Sequence, residues 1–222
     1  MESSRAIVLA DSCPEWDPQG KRLAVPVQGE LLFGGRWCGF AVVEFPSRRW
    51  RHYVFPWERS HGEPYAPTEF CWDPTGRYLL FNYPKAARTT SLWVLDTRTG
   101  GVRRLAEITG DRQLSLRSPT CSPNGRWVAC LAEYEVGQPR WQIVVCRLSG
   151  GKMRKHYPPL FHGRDDAPWC IRWEPGGQQV AWPDVASPTG LRSLRVLGAG
   201  ARRRRGSARG STPGVRKQGE VR

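Results

Sequence analysis

The 222-residue sequence predicts an all-β chain built from about four repeated, four-stranded antiparallel units. Three observations carry this expectation. One turn motif recurs four times at intervals near 50 residues, and β-forming runs flank each copy. Proline or glycine also interrupts almost every window long enough to hold a helix, in keeping with 24 Gly and 19 Pro.

The first copy reads Trp16-Asp17-Pro18-Gln19-Gly20-Lys21-Arg22-Leu23-Ala24-Val25, and the second Trp72-Asp73-Pro74-Thr75-Gly76-Arg77-Tyr78-Leu79-Leu80-Phe81. The third is Cys121-Ser122-Pro123-Asn124-Gly125-Arg126-Trp127-Val128-Ala129-Cys130, and the fourth Trp173-Glu174-Pro175-Gly176-Gly177-Gln178-Gln179-Val180-Ala181-Trp182. Their aligned glycines, Gly20, Gly76, Gly125 and Gly177, stand 56, 49 and 52 residues apart. Each element has a turn chemistry. An Asp or Ser side chain at the first position accepts backbone N–H groups further along the turn. The proline that follows fixes φ near −65°, and the glycine takes a positive φ without a Cβ clash. Asp17, Asp73, Ser122 and Glu174 fill the first place, Pro18, Pro74, Pro123 and Pro175 the second.

Each turn joins two strands, as in Glu69–Trp72 entering and Tyr78–Phe81 leaving. A third β-rich run follows 16 to 20 residues later, beginning at Phe40, Leu92, Gln142 and Leu194. In the first three units a short turn then leads to a fourth strand, at Trp50–Phe55, Val102–Leu105 and Lys152–Tyr157. Four antiparallel strands recurring every 50 residues describe propeller blades better than a sandwich or barrel. The expected blades cover roughly residues 7–56, 68–108, 117–160 and 168–198.

The motif, followed in the second unit by the LWVLDTRTGGVRRL run, resembles the TolB-type, WD40-like (PD40-like) β-propeller repeat. The resemblance spans about residues 7–198, with Trp72–Leu105 the best single match. It implies a propeller like those of periplasmic transport-complex proteins, peptidase gating domains and many bacterial proteins of unassigned role. That family usually carries Asp just before the turn glycine, where this chain has Gln19, Thr75, Asn124 and Gly176. It also implies rings of six to eight blades, whereas four motifs are present and Pro183, Pro188 and Gly190 crowd the last. An incomplete or open propeller is therefore expected: a fragment, a frameshifted product, or a chain closed by another chain. A closed four-bladed ring is the alternative.

The chain carries 34 Lys+Arg against 20 Asp+Glu, a formal +14. Half of this excess lies in residues 199–222, with seven Arg and one Lys against one Glu, and no aromatic residue. Such a segment cannot bury enough apolar surface to offset its ordering entropy and is expected to be disordered. Its Arg202-Arg203-Arg204-Arg205 run is a candidate contact for nucleic acid or another polyanion; a plain solvated terminus is the simpler reading.

Seven cysteines, an odd number without a CxxC, point to buried thiols rather than a disulfide or zinc framework, and modestly to a reducing, cytoplasmic setting. No signal peptide and no apolar run long enough for a membrane helix is evident. No G-x-S-x-G elbow, P-loop or dinucleotide fingerprint occurs, and Asp165-Asp166 read as a turn. Neither a cofactor nor a metal is expected, and the chain reads as non-enzymatic. Trp16, Trp72 and Trp173 share one aligned position and are expected to pack between blades. The Arg- and Trp-rich first unit (Trp37, Trp50, Trp57, Arg36, Arg48, Arg49, Arg51, Arg59, His52) could clamp an acidic peptide or stack bases. Simple strand alternation, with Trp50 inward and Arg49 and Arg51 outward, yields the same pattern. The leading functional expectation is a scaffold binding a protein or peptide through loops joining the blades. Polyanion binding through the tail, or a peptidase propeller lacking its hydrolase domain, are the alternatives.

Overall fold

The computed structural model describes residues 6–8, 13–30, 36–55, 67, 69–86, 89–109, 114–134, 140–151, 154–156, 171–183 and 191–196. Among these residues every regular element is a strand. The first unit contains β1 (Ala6–Val8), β2 (Glu15–Trp16), β3 (Arg22–Glu30), β4 (Arg36–Glu44) and β5 (Arg49–Val54). The second contains β6 (Phe70–Trp72), β7 (Tyr78–Ala86), β8 (Thr89–Asp96) and β9 (Val102–Thr109). The third contains β10 (Leu114–Cys121), β11 (Trp127–Tyr134), β12 (Arg140–Arg147) and β13 (Arg154–His156), and the fourth β14 (Arg172–Trp173), β15 (Gln179–Pro183) and β16 (Leu191–Arg195). Each unit is one antiparallel sheet with its strands paired in chain order, except that β1 and β2 both pair with β3.

Two units depart from four strands. In the first, the innermost strand is split, with β1 on the far half of β3 and β2 on the near half. The third unit solves the same geometry with a bulge in β10, where the register shifts between Arg117 and Thr120 and Ser118 adopts φ 48°. The fourth unit has three described strands.

The four motifs form one turn. The glycine N–H donates to the carbonyl of the first motif residue at 2.8–2.9 Å in all four copies, and the glycines hold φ between +63° and +69°. The side chain of the first residue reaches five residues along. Asp17 accepts from the Arg22 N–H at 3.1 Å, Asp73 from Tyr78 at 2.6 Å, and Ser122 from Trp127 at 2.9 Å. These acceptors are buried, so each replaces water that burial excludes.

Strand alternation turns each sheet into a two-sided spacer. The third residue after each turn glycine faces the preceding unit and the fourth faces the following one. Leu79 packs with Ala24, Phe40 and Phe81 between the first and second units. Leu80 packs with Leu92, Leu116, Val128 and Cys130 between the second and third. Ala129, Leu131, Val180 and Trp182 fill the third junction. The first junction is aromatic: Phe40 meets Phe70 and Phe81 edge-on at 4.8 and 5.4 Å, and Phe55 stacks on Phe81 at 4.5 Å. Leu80 is fully buried, and Leu80→Ala is expected to lower stability by about 2–5 kcal/mol in urea unfolding. A loss below about 1 kcal/mol would mean that the second junction is not a packed core.

The aligned tryptophans clamp the junctions. The Trp72 indole N–H donates to the Glu15 carbonyl at 3.0 Å, and the Trp173 indole N–H to the Thr120 carbonyl at 3.1 Å. At the second junction the equivalent residue is Cys121, which has no indole to donate. Trp16 departs from the expected packing role: it is 52% exposed, because no described unit stands on its side of the first sheet. Trp50 departs too, at 63% exposed, since the pairing Trp16–Leu23–Val43–Trp50 puts it on the face of the first sheet that no described unit covers. Trp57, Arg59, the Asp165-Asp166 pair, Arg202–Arg205 and the whole 199–222 segment lie outside the described residues.

Candidate functional site

A cleft of about 680 Å³ opens where the outer strand of the first unit meets the turns of the second, and arginine dominates its lining. Arg49, Arg51 and Tyr53 alternate along β5 and share the face turned toward the second unit. Arg22 comes from β3, Arg77 from the second motif, and Thr97 and Arg98 from the β8–β9 turn; Glu44 is the acidic lining residue. A shallower hollow continues past Arg51, His52 and Arg98 to Gly100.

These arginines fall into two groups. Arg22 is a fastener: its Nε meets Asp17 at 3.0 Å, its Nη1 meets the Thr97 hydroxyl at 3.3 Å, and its Nη2 donates to the Gly76 carbonyl. It also lies 5.1 Å over the Trp72 ring. Arg77 grips Asp96 with Nε at 3.1 Å and Nη2 at 2.6 Å, and the Arg77 guanidinium holds the Asp96 carboxyl down at about 2. Tyr53 donates its hydroxyl to the Thr97 carbonyl, fixing β5 against the β8–β9 turn. Arg49, Arg51 and Arg98 form the second group. Their guanidinium groups have no ion pair or hydrogen bond among the described residues, and all three are exposed. Once Asp17 and Asp96 have neutralised Arg22 and Arg77, three arginines face one carboxylate, Glu44.

The cleft can bind an anion. A guanidinium fork matches carboxylate or phosphate oxygens in pairs, and Trp50 and Tyr53 offer apolar surface beside it. The threonine hydroxyls are already committed, Thr75 to Asp73 at 2.6 Å and Thr97 to the Arg77 carbonyl at 2.7 Å. No group of three metal-ligating side chains occurs among the described residues.

Glu15 lies at the same junction, and burial pushes its carboxyl up to about 7. Because the folded value exceeds the unfolded one, the folded state holds the extra proton between about pH 4.5 and 7. Its contribution is complete below that window and is lost as pH rises through it. Unfolding by urea at pH 4.5 and pH 8 should differ by roughly 1–3 kcal/mol less in Glu15→Gln than in the parent chain. An unchanged difference would remove Glu15 as the cause.

Three solved structures show what the chain is similar to. Hydrazine synthase from Kuenenia stuttgartiensis superposes with a TM-score of 0.54 at 14% identity, over 82% of this chain and 64% of that one. Acylaminoacyl peptidase from Pyrococcus horikoshii gives 0.52 at 10% identity, over 83% and 34%. A prolyl endopeptidase structure gives 0.51 at 14% identity, over 87% and 28%. The fold is β-propeller-like. The chain spans less than two thirds of each of these structures, and identities this low speak to fold alone. No protein-family model matches the chain, and no curated protein does, so the TolB-type label rests on the motif.

The sequence singled out Arg49, Arg51, Trp50 and His52 of the first blade, and the cleft gathers all but His52, which lines the adjoining hollow. It gave no sign of Arg77 and Arg98, which arrive from the second blade 26 to 49 residues away in the chain. Spacing along one strand reveals its own alternation, not which turn of the next blade stands opposite. The cleft also lies among turns within blades. Much of the connections between blades, residues 56–66, 110–113 and 157–170, falls outside the described residues. The motif residues Asp17, Asp73, Ser122 and Glu174 with their prolines and glycines build the turns that frame this end of the blades.

Proposed function

We propose that the chain is a non-catalytic β-propeller-type scaffold that binds an acidic peptide segment of a partner protein in the cleft between its first and second blades. The observation that carries this reading is the convergence of Arg49, Arg51 and Arg98, all without a partner among the described residues, on one cavity. Strand β5 favours a peptide over a nucleic acid. It is the outer edge of its sheet, and no described strand pairs with its free side. An extended peptide can hydrogen-bond such an edge while alternate carboxylates meet the arginines. The test is titration of the full chain with a labelled Glu-rich decapeptide, a Lys-rich decapeptide and a single-stranded oligonucleotide. Preference for the acidic peptide supports the reading. Preference for the oligonucleotide, lost on deleting 199–222, replaces it with polyanion binding through the tail.

A second reading has the peptidase neighbours in its favour: a propeller of that type, acting with a hydrolase domain that this sequence does not contain. A G-x-S-x-G hydrolase encoded beside this chain, and co-purifying with it, would support that reading.

A further inference from the structure

We infer that Tyr53 is the positioning residue of the arginine cleft: its hydroxyl occupies a backbone carbonyl that would otherwise hold Arg51, and so keeps Arg51 available to a carboxylate of the bound peptide. This role rests on the acidic-peptide reading of the cleft.

The second junction supplies the comparison, because one row of the sheet ends in arginine in both blades. In the first blade Ala24, Val42 and Arg51 lie side by side across β3, β4 and β5. In the second, Leu80, Val94 and Arg103 lie side by side across β7, β8 and β9. Ala24 and Leu80 each stand four residues after their turn glycine. Arg51 and Arg103 therefore hold one position in the blade, on the face turned toward the following unit. The carbonyl across the junction is equivalent too. Thr97 and Leu148 each end the third strand of their blade, and their N–H groups donate to the Arg77 and Arg126 carbonyls, both at 3.0 Å.

What the two carbonyls receive is different. At the second junction Arg103 donates its Nη2 to the Leu148 carbonyl at 2.7 Å. At the first, the Thr97 carbonyl accepts the Tyr53 hydroxyl instead, and Arg51 has no partner among the described residues. The difference traces to one side chain. Two residues past each arginine the first blade has Tyr53 and the second has Leu105. Leu105 is buried in the core of the second junction and has nothing to donate, so its carbonyl is left to the arginine. A guanidinium meets a two-oxygen acceptor with a paired edge only when it is free to turn toward it. Arg103 commits a terminal N–H to the neighbouring turn. Arg51 keeps every donor and stands beside Arg98, where the cleft joins the shallower hollow. One tyrosine thus turns a fastener of the second junction into a binding group at the first.

Two measurements on the full chain test this, and the first needs no ligand. Guanidinium rotation, followed by nitrogen NMR, is expected to be fast for Arg51 and slow for Arg103 in the parent, and slow for both in Tyr53→Phe. Arg51 rotating as fast in Tyr53→Phe as in the parent would overturn the inference, whatever the chain binds. In the second, Tyr53→Phe is expected to weaken binding of the Glu-rich decapeptide about 3- to 10-fold, the worth of one hydrogen bond. Added to Arg51→Ala, the same substitution should cause no further loss. A loss that persists without Arg51 would mean that Tyr53 merely holds β5 in place, and the positioning role falls. Tyr53→Leu, which gives the first blade the residue of the second, is the companion variant, and circular dichroism checks that each is folded. A parent chain that binds no acidic peptide removes the proposed function, and the rotation result then decides separately whether Tyr53 keeps Arg51 free.

Discussion

Replacing Arg51 and Arg98 together by glutamate is expected to weaken acidic-peptide binding about 100-fold, equivalent to roughly 2.7 kcal/mol. Each arginine loses a charge-assisted hydrogen bond, and each glutamate then repels the ligand. Exposure keeps the figure from being larger, since solvent and salt screen both terms. Both side chains are exposed and carry no bond among the described residues, so the fold should be unmoved; urea midpoints of parent and variant should coincide. Arg77→Glu is the informative contrast. It would break the pair with Asp96 and so disturb the turn as well as the cleft. Anisotropy titrations at about 50 and 300 mM salt check the result, and a double reversal that binds as the parent does would sink the cleft as the site.

A loss of stability comparable to that of Leu80→Ala is expected from Asp17→Ala, about 2–4 kcal/mol. The Asp17 carboxylate is 3% exposed and accepts the Lys21 N–H at 2.8 Å, the Arg22 N–H at 3.1 Å and the Arg22 Nε at 3.0 Å. Its removal strands two backbone donors and leaves Arg22 with no countercharge while it still spans the junction to Gly76 and Thr97. Burial alone would push the Asp17 carboxyl up, but those backbone donors and the guanidinium bring it below its usual value. A lowered folded value places the contribution above the unfolded value near 3.9, and it is lost as pH falls through the folded one. Urea unfolding at pH 7 and pH 3 should therefore show a smaller gap between parent and Asp17→Ala at the lower pH. An equal gap at both would refute the ionic account. Asp17→Asn keeps acceptors but not the charge, and should fall between parent and Ala.

The turns were legible because their chemistry is local. Asp17-Pro18, Asp73-Pro74 and Ser122-Pro123, each with a glycine two residues on, determine a turn whatever surrounds them. The alternation of Leu79 and Leu80 was legible for a similar reason, since a strand pleats with period two. What escaped depends on neighbours. Trp16 and Trp72 are the same residue in the same motif, yet one is solvent-facing and the other buried, and the difference lies in the sheet beside each. Trp50 carries the alternation of a buried strand but sits on an outer one. Arg98 belongs to a turn that looks ordinary until β5 of the first blade is placed against it. The strand split between Ala6–Val8 and Glu15–Trp16 was equally out of reach, because nothing local distinguishes it from a single strand with a bulge.

Cysteine at position 121 has a consequence beyond the loss of one hydrogen bond. It divides the array into two riveted pairs, first with second and third with fourth, joined at a seam without an indole rivet. Cys71, Cys121, Cys130 and Cys146 all belong to the packing at that seam. Burial pushes the Cys121 and Cys146 thiols up to about 12 and holds Cys71 and Cys130 well above their ordinary value. Cys130 and Cys146 are buried, so while the seam is closed they are shielded from alkylating reagents. Parted, they react. The labelling rate of Cys130 and Cys146 is thus a clock, already built into the sequence, for how often the two halves of the molecule come apart.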